Sequence, residues 1–245
     1  MNTFDRYKIK EVLTPEIKKL INIERKSIDL YSNTLDCFSA TLDAMTQGVS
    51  LESWVKYEAL RKRQKSKQNV VGHIHQVILG TLDGVENLKT GRVVDTLCHE
   101  KKIVAEIKNK HNTTKGKDKK TIYDDLEKML DQYDGYTAYY VEILPSSTKP
   151  YNECFTPSDN TAKDKTKKKR PINERIRVID GVSFYEIMTG NPHALKELYA
   201  LLPQVVHEIL VENELLSTEQ LAHIQDIETS DYFNLFFEKA YGSSL

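Results

Sequence analysis

The chain has 245 residues, 39% hydrophobic and 29% charged, enough apolar material for one large domain with its own core. It has no apolar run of about eighteen residues, no apolar leader in MNTFDRYK, and only Cys37, Cys98 and Cys154 as thiols. The expectation is a cytoplasmic protein with no membrane span, signal peptide, disulfide framework or zinc knuckle.

The net charge of −1 conceals a segregation. Residues 61–67 (RKRQKSK), 108–120 and 163–177 are basic, whereas from Glu208 onward the acids face Lys239 alone. Local potential, not the average, steers a polyanion to a surface.

In chain order, Thr14-Pro15 reads as a helix N-cap and first helical position. Ile21, Ile28, Leu35 and Leu42 then recur every seven residues, with Ile17, Tyr31, Phe38 and Met45 beside them and Gly48 at the end. The pattern predicts one long amphipathic helix whose stripe serves as core or as a dimer seam. Ser50 caps a second helix carrying Trp54, Val55 and Leu60, and a third helical stretch covers residues 70–80. His73 and His75 are two apart on it, so they do not face each other as a metal pair would.

The stretch at 91–116, GRVVDTLCHEKKIVAEIKNKHNTTKG, is read as a β-hairpin followed by a polar segment. Strands at 92–97 and 102–108, folded about Glu100-Lys101, set His99 opposite Lys102 and Asp95 opposite Glu106. Opposed residues of an antiparallel pair share a face, as do Glu106 and Lys108. Two carboxylates and an ammonium thus converge. An acid and a lysine two apart on a strand ordinarily mark a solvated face. Here the apolar run Ile103-Val104-Ala105 argues for a central strand, and opposed carboxylates repel unless a cation lies between them. Lys110, His111, Asn112, Thr113, Thr114 and Lys115 follow at once, donors suited to phosphates and base edges. The sum is a divalent-metal site facing a polyanion.

Downstream, Thr121 has capping-box character and starts a helix to about Gln132. Asp134-Gly135 turns into a strand at 136–144, which a helical crossover makes parallel to 102–108. Residues 158–169 form a lysine-rich loop without periodicity. A strand at 175–179 leads to a capping box at Ser183 and Glu186, and Asn191-Pro192 starts the next helix, which Pro203 kinks or restarts. Ser217 to Gln220 caps a further segment, and Tyr232, Phe233, Phe236, Phe237 and Tyr241 form an aromatic stripe read as core.

Asp95, ten intervening residues, then Glu106-Ile107-Lys108 resembles the PD-(D/E)xK nucleases. The string AEIKNKHNTTKG at 105–116 is more specific and is similar to type II restriction endonucleases of the Eco-forty-seven-II kind, which cut GGNCC-type sites. Asp180-Gly181-Val182-Ser183-Phe184-Tyr185 with Thr189-Gly190 matches a phrase late in such enzymes. The likeness covers about residues 69–202, and Val94 stands where the motif expects proline.

The resemblance implies an α/β, restriction-endonuclease-like fold, a mixed central sheet flanked by helices with helical N- and C-terminal additions. It is read as one domain over 1–245: a helical region at 1–68, a catalytic core at 69–190 and a helical region at 191–245. The implied activity is Mg2+-dependent cleavage of double-stranded DNA at a specific site, with a cognate DNA methyltransferase as genetic partner, not as a bound subunit. Asp95, Glu106 and Lys108 would be catalytic, with Asp95, Glu106 and the carbonyl of Ile107 holding the metal and Gln76 nearby. A two-fold symmetric site with one such patch per chain further implies a homodimer. Two other classes fit the residues: a repair or recombination nuclease of the same fold that reads DNA structure, and a non-catalytic nucleic-acid-binding module.

Overall fold

The computed structural model describes residues 3–28, 35–88, 93–159, 169–224 and 231–242. The N-terminal helices are α1 (Arg6–Arg25), α2 (Cys37–Gln47) and α3 (Leu51–Leu79). The strands β1 (Val85–Asn87), β2 (Thr96–Cys98) and β3 (Ile103–Lys110) follow, then α4 (Gly116–Gln132), β4 (Thr137–Leu144), β5 (Asn152–Cys154) and β6 (Ile176–Asp180). The chain closes with α5 (Gly181–Thr189), α6 (Ala194–Glu212), α7 (Thr218–Ala222) and α8 (Asp231–Tyr241).

β4 is buried on both faces nearly throughout and β3 over its first three residues, a pattern that belongs in the middle of a covered sheet. They lie there: the order is β1-β2-β3-β4-β6-β5. β3, β4 and β6 run parallel, while β1, β2 and β5 add antiparallel pairs at the two margins. The expected mixed sheet and the parallel crossover through α4 are both present. Ile103, Ala105, Ile107, Val141 and Ile143 pack on one face with α1, α3, α5 and α6. Val104, Ala138, Tyr140 and Ile176 pack on the other with Tyr123, Leu126, Met129 and Leu130 of α4. No helix of the described residues is long and apolar enough to cross a membrane.

Several element boundaries differ from the sequence reading, each for a local reason. The single long helix is two. Asp5 accepts from the amides of Tyr7 and Lys8, and Asp36 from those of Phe38 and Ser39. Carboxylates of this kind are strong N-caps. Thr14 instead donates its hydroxyl to the Lys10 carbonyl inside α1, and Pro15 is interior. The heptad stripe therefore divides: Ile17 and Ile21 pack on the core, whereas on α2 Phe38, Leu42 and Met45 are exposed. Tyr31 lies outside the described residues. The second and third helical stretches are one helix, α3, continuous through Arg, Lys and Gln residues that are good helix formers.

α4 begins at Gly116, with Thr121 bonding back to the Lys117 carbonyl from inside it. Asp180, not Ser183, caps α5, accepting the Ser183 amide at 3.0 Å and its hydroxyl at 2.7 Å. α6 starts at Ala194 and runs unbroken through Pro203. The capping box from Ser217 to Gln220 is as expected. In α8, Phe237 and Tyr241 are buried but Phe236 is exposed, so the stripe is only partly core. The edge strands β1 and β5 carry no signal that the sequence reading used, and residues 160–168 and Arg92 lie outside the described residues.

The acidic C-terminal helix has a local function. Lys10 of α1 lies 2.7 Å from Glu212 and 3.5 Å from Glu208, and Arg6 also pairs with Glu208.

Candidate active site

In the hairpin Thr96 faces Ala105, Leu97 faces Val104 and Cys98 faces Ile103. Asp95 stands just before the first of these pairs, with its carboxyl beside that of Glu106. The Asp95 amide donates to the Ala105 carbonyl at 3.0 Å, and its carbonyl accepts from Leu88 at 2.8 Å. Its carboxylate accepts the Ile107 amide at 2.7 Å. Val94, where proline was expected, is simply buried.

Glu106 accepts from the Lys108 ammonium at 2.5 Å, and the side chains are 15% and 32% exposed respectively. Burial, then the charge of Asp95, pushes the Glu106 carboxyl up to about 7. Asp95 is also raised, chiefly by burial, although its bond from Ile107 and the charge of Lys108 oppose the rise. Two carboxylates forced together share protons or a cation.

These residues floor an open cleft of about 1020 Å³, bordered on one side by α3. Asp95, Glu106, Ile107, Lys108 and Gln76 all line it, as do Lys110, Asn112 and Thr113. His111, Thr114 and Lys115 do not. The His111 amide instead donates to the Leu144 carbonyl at 3.0 Å, joining the end of β3 to β4. Gln76 is held by His73, whose Nδ1 is 2.5 Å from the amide oxygen. His75 turns the opposite way, into the core, 2.9 Å from the Tyr185 hydroxyl and held neutral by burial with its pKa near 4. The two histidines are indeed no metal pair.

Sequence reasoning missed two residues that line the cleft and one buried acid beside it. Gln64 and Gln68 of α3 line the cleft, and nothing in their spacing marks a ligand. Glu142, across the sheet from Lys108, is buried and bonded by Lys119 at 2.8 Å and the Tyr151 hydroxyl at 2.7 Å. An acid inside the apolar strand Thr137–Leu144 was its available signal. The phrase at Asp180–Gly190 is scaffold. A Cβ on Gly181 would stand 2.5 Å from the Ile143 carbonyl oxygen. Gly190 ends α5 with φ of 75°, and Phe184 and Tyr185 are fully buried.

A mixed six-stranded sheet with helices on both faces, and an acid–acid–lysine group presented beside its antiparallel wing, define a protein of the restriction-endonuclease-like class. The family model for the Eco47II restriction endonuclease matches residues 4–211. Type II restriction enzyme Eco47II of Escherichia coli is 39% identical over 197 residues, 79% of this chain and 78% of that protein. Type II restriction enzyme Sau96I of Staphylococcus aureus is 31% identical over 156 residues, 63% of this chain and 59% of that protein. No solved structure matches. The chain belongs to the Eco47II restriction endonuclease family, and so to the type II site-specific endonucleases.

Proposed function

We propose that this protein hydrolyses double-stranded DNA at a short GGNCC-like sequence with Mg2+ as cofactor, using Asp95, Glu106 and Lys108. The observation that carries this reading is the half-buried pair Asp95 and Glu106 at the floor of the cleft, whose mutual repulsion a cation would relieve. Among the described residues no group of three or more His, Cys, Asp or Glu side chains is arranged to hold a metal. Two carboxylates with one backbone carbonyl suit Mg2+, which keeps several waters and takes few protein ligands. Zinc sites take three or four protein ligands, mostly nitrogen or sulfur. The carbonyl of Ile107 is a fitting third donor. In an extended strand it leaves the same edge as the amide, and the Ile107 amide already points to Asp95.

Bound there, Mg2+ would neutralise phosphodiester charge and acidify a coordinated water. Lys108, beside Glu106, is placed to donate to a phosphate oxygen and to orient the attacking water. Lys110, Asn112 and Thr113 supply donors along the same floor, and the resemblance extends this role to His111, Thr114 and Lys115.

The protein acts as a homodimer in this reading, with the exposed Phe38, Leu42 and Met45 of α2 as the seam. A DNA methyltransferase of the same specificity is its genetic partner. Digesting DNA of known sequence with magnesium and mapping the ends tests the proposal. Discrete cuts at one short sequence are expected; magnesium-independent binding with no cleavage would overturn it.

A further inference from the structure

Gly72 lies inside α3, where glycine destabilises a helix relative to alanine. Among the described residues, nothing outside its own stretch of helix lies within 4 Å of the place where a Cβ would stand, and its φ is not positive. Neither packing nor backbone geometry therefore calls for glycine. What Gly72 does border is the cleft holding Asp95, Glu106 and Lys108.

It belongs to a row. Gln64, Gln68, Gly72 and Gln76 are spaced by four, which places them along one ridge of the helix, and all four line the cleft. Gln64 and Gln68 are exposed and have no hydrogen-bond partner among the described residues. The neighbouring cations are engaged elsewhere: Arg63 lies 3.7 Å from Glu24 of α1, and Lys67 pairs with the same carboxylate. α3 thus offers the cleft a row of neutral amides around a gap, flanked by Lys67, which is held toward Glu24, and by His73, which is bonded to Gln76.

A wall built for phosphates would present its cations. A carboxamide carries donor and acceptor side by side, the pattern that pairs bidentately with a base edge. At 1.5 Å per residue the row is about 18 Å long, about five base-pair steps at 3.4 Å each.

We infer that the Gln64, Gln68, Gly72, Gln76 row of α3 reads base edges of the bound duplex, with Gly72 marking where DNA comes closest to the helix. The inference rests on the DNA-cleaving function proposed above and names the residues that set its sequence preference.

The test uses the full chain and the variants Gln64→Ala, Gln68→Ala and Gly72→Ala. Each digests a plasmid of known sequence in magnesium, binds a mixed-sequence duplex in calcium and is melted. Both glutamine variants should cut at additional sequences, losing discrimination by about tenfold. Gly72→Ala should melt higher than wild type yet bind DNA about tenfold more weakly, the added methyl holding the duplex away. A stabilised Gly72→Ala with wild-type affinity, or glutamine variants with the wild-type cut pattern, would overturn the inference. Wild type that binds in calcium but never cuts in magnesium sinks the nuclease proposal alone; if Gly72→Ala then binds more weakly, the DNA contact stands. Wild type that binds no duplex sinks both.

Discussion

Replacing Glu106 by glutamine should make the metal-free protein more stable while removing its activity. The Glu106 carboxyl has been moved from 4.5 to about 7, first by burial and then by Asp95. A group that holds its proton more tightly in the folded than in the unfolded chain supports the fold fully below its unfolded pKa. That support is lost as pH rises through the folded value. For Glu106 the loss begins near 4.5 and continues past about 7. At 1.36 kcal/mol per pKa unit, the ionised carboxylate costs the folded state about 3 kcal/mol. Glutamine stays neutral and keeps a donor toward Asp95, so it should recover that amount. In a chain of this size this is roughly 6–12 °C in melting temperature. The assay is urea unfolding of wild type and Glu106→Gln in chelator across pH. The two should match near pH 4 and separate by about 3 kcal/mol at about pH 8.5. Magnesium should then stabilise the wild type and close most of the gap. A difference that does not change with pH, or a variant less stable than wild type at the alkaline end, would refute the reasoning.

Asp95→Ala and Lys108→Ala should each lower cleavage about a thousandfold or more with unchanged circular dichroism; near-normal rates would remove that residue from the site. If the proposed dimer forms through α2, Leu42→Asp on its exposed face should give a monomer in sedimentation with the fold intact by circular dichroism, whereas the same change at buried Leu13 should unfold the chain. Gly181→Ala should destabilise by several kcal/mol in urea unfolding, because its Cβ would meet the backbone of Ile143 at 2.5 Å and overpacking against backbone finds no rotamer to relieve it. DNA affinity should fall steeply with salt, with a slope near −0.9 for each phosphate contacted; a flat titration would show that Lys110 and its neighbours face solvent alone.

The centre of the molecule was legible because it is encoded locally. Alternation in residues 102–108 and a tight turn at Glu100-Lys101 fix the register that sets Thr96 opposite Ala105 and brings Asp95 beside Glu106, and a one-residue slip would have turned Ile103 and Ile107 out of the core. The parallel strand at Thr137–Leu144 followed from its composition and from the helix before it. The N-terminal helices were less legible because competing caps decided them: Asp5 and Asp36 outrank Thr14, and the seven-residue repeat runs across their break. The cleft wall was legible only at Gln76. Gln64, Gln68 and Gly72 repeat every four residues, but two neutral amides and a glycine at helical spacing announce no chemistry, and which side of the sheet α3 packs against is a property of the tertiary fold. Glu142 was hidden likewise, since its partners Lys119 and Tyr151 come from separate elements.

The short sequence distance between Asp95 and Glu106 has a kinetic consequence. Hairpins close in about 1–10 μs, before distant segments meet. The two acids would therefore face each other early, while water still screens them. Their repulsion becomes costly only when α3 and α4 close over the sheet and exclude that water. An energy that arises after the rate-limiting step alters the rate of unfolding and leaves the rate of folding unchanged. Magnesium would then work as a late latch: it would lengthen the lifetime of the folded protein without hastening its formation.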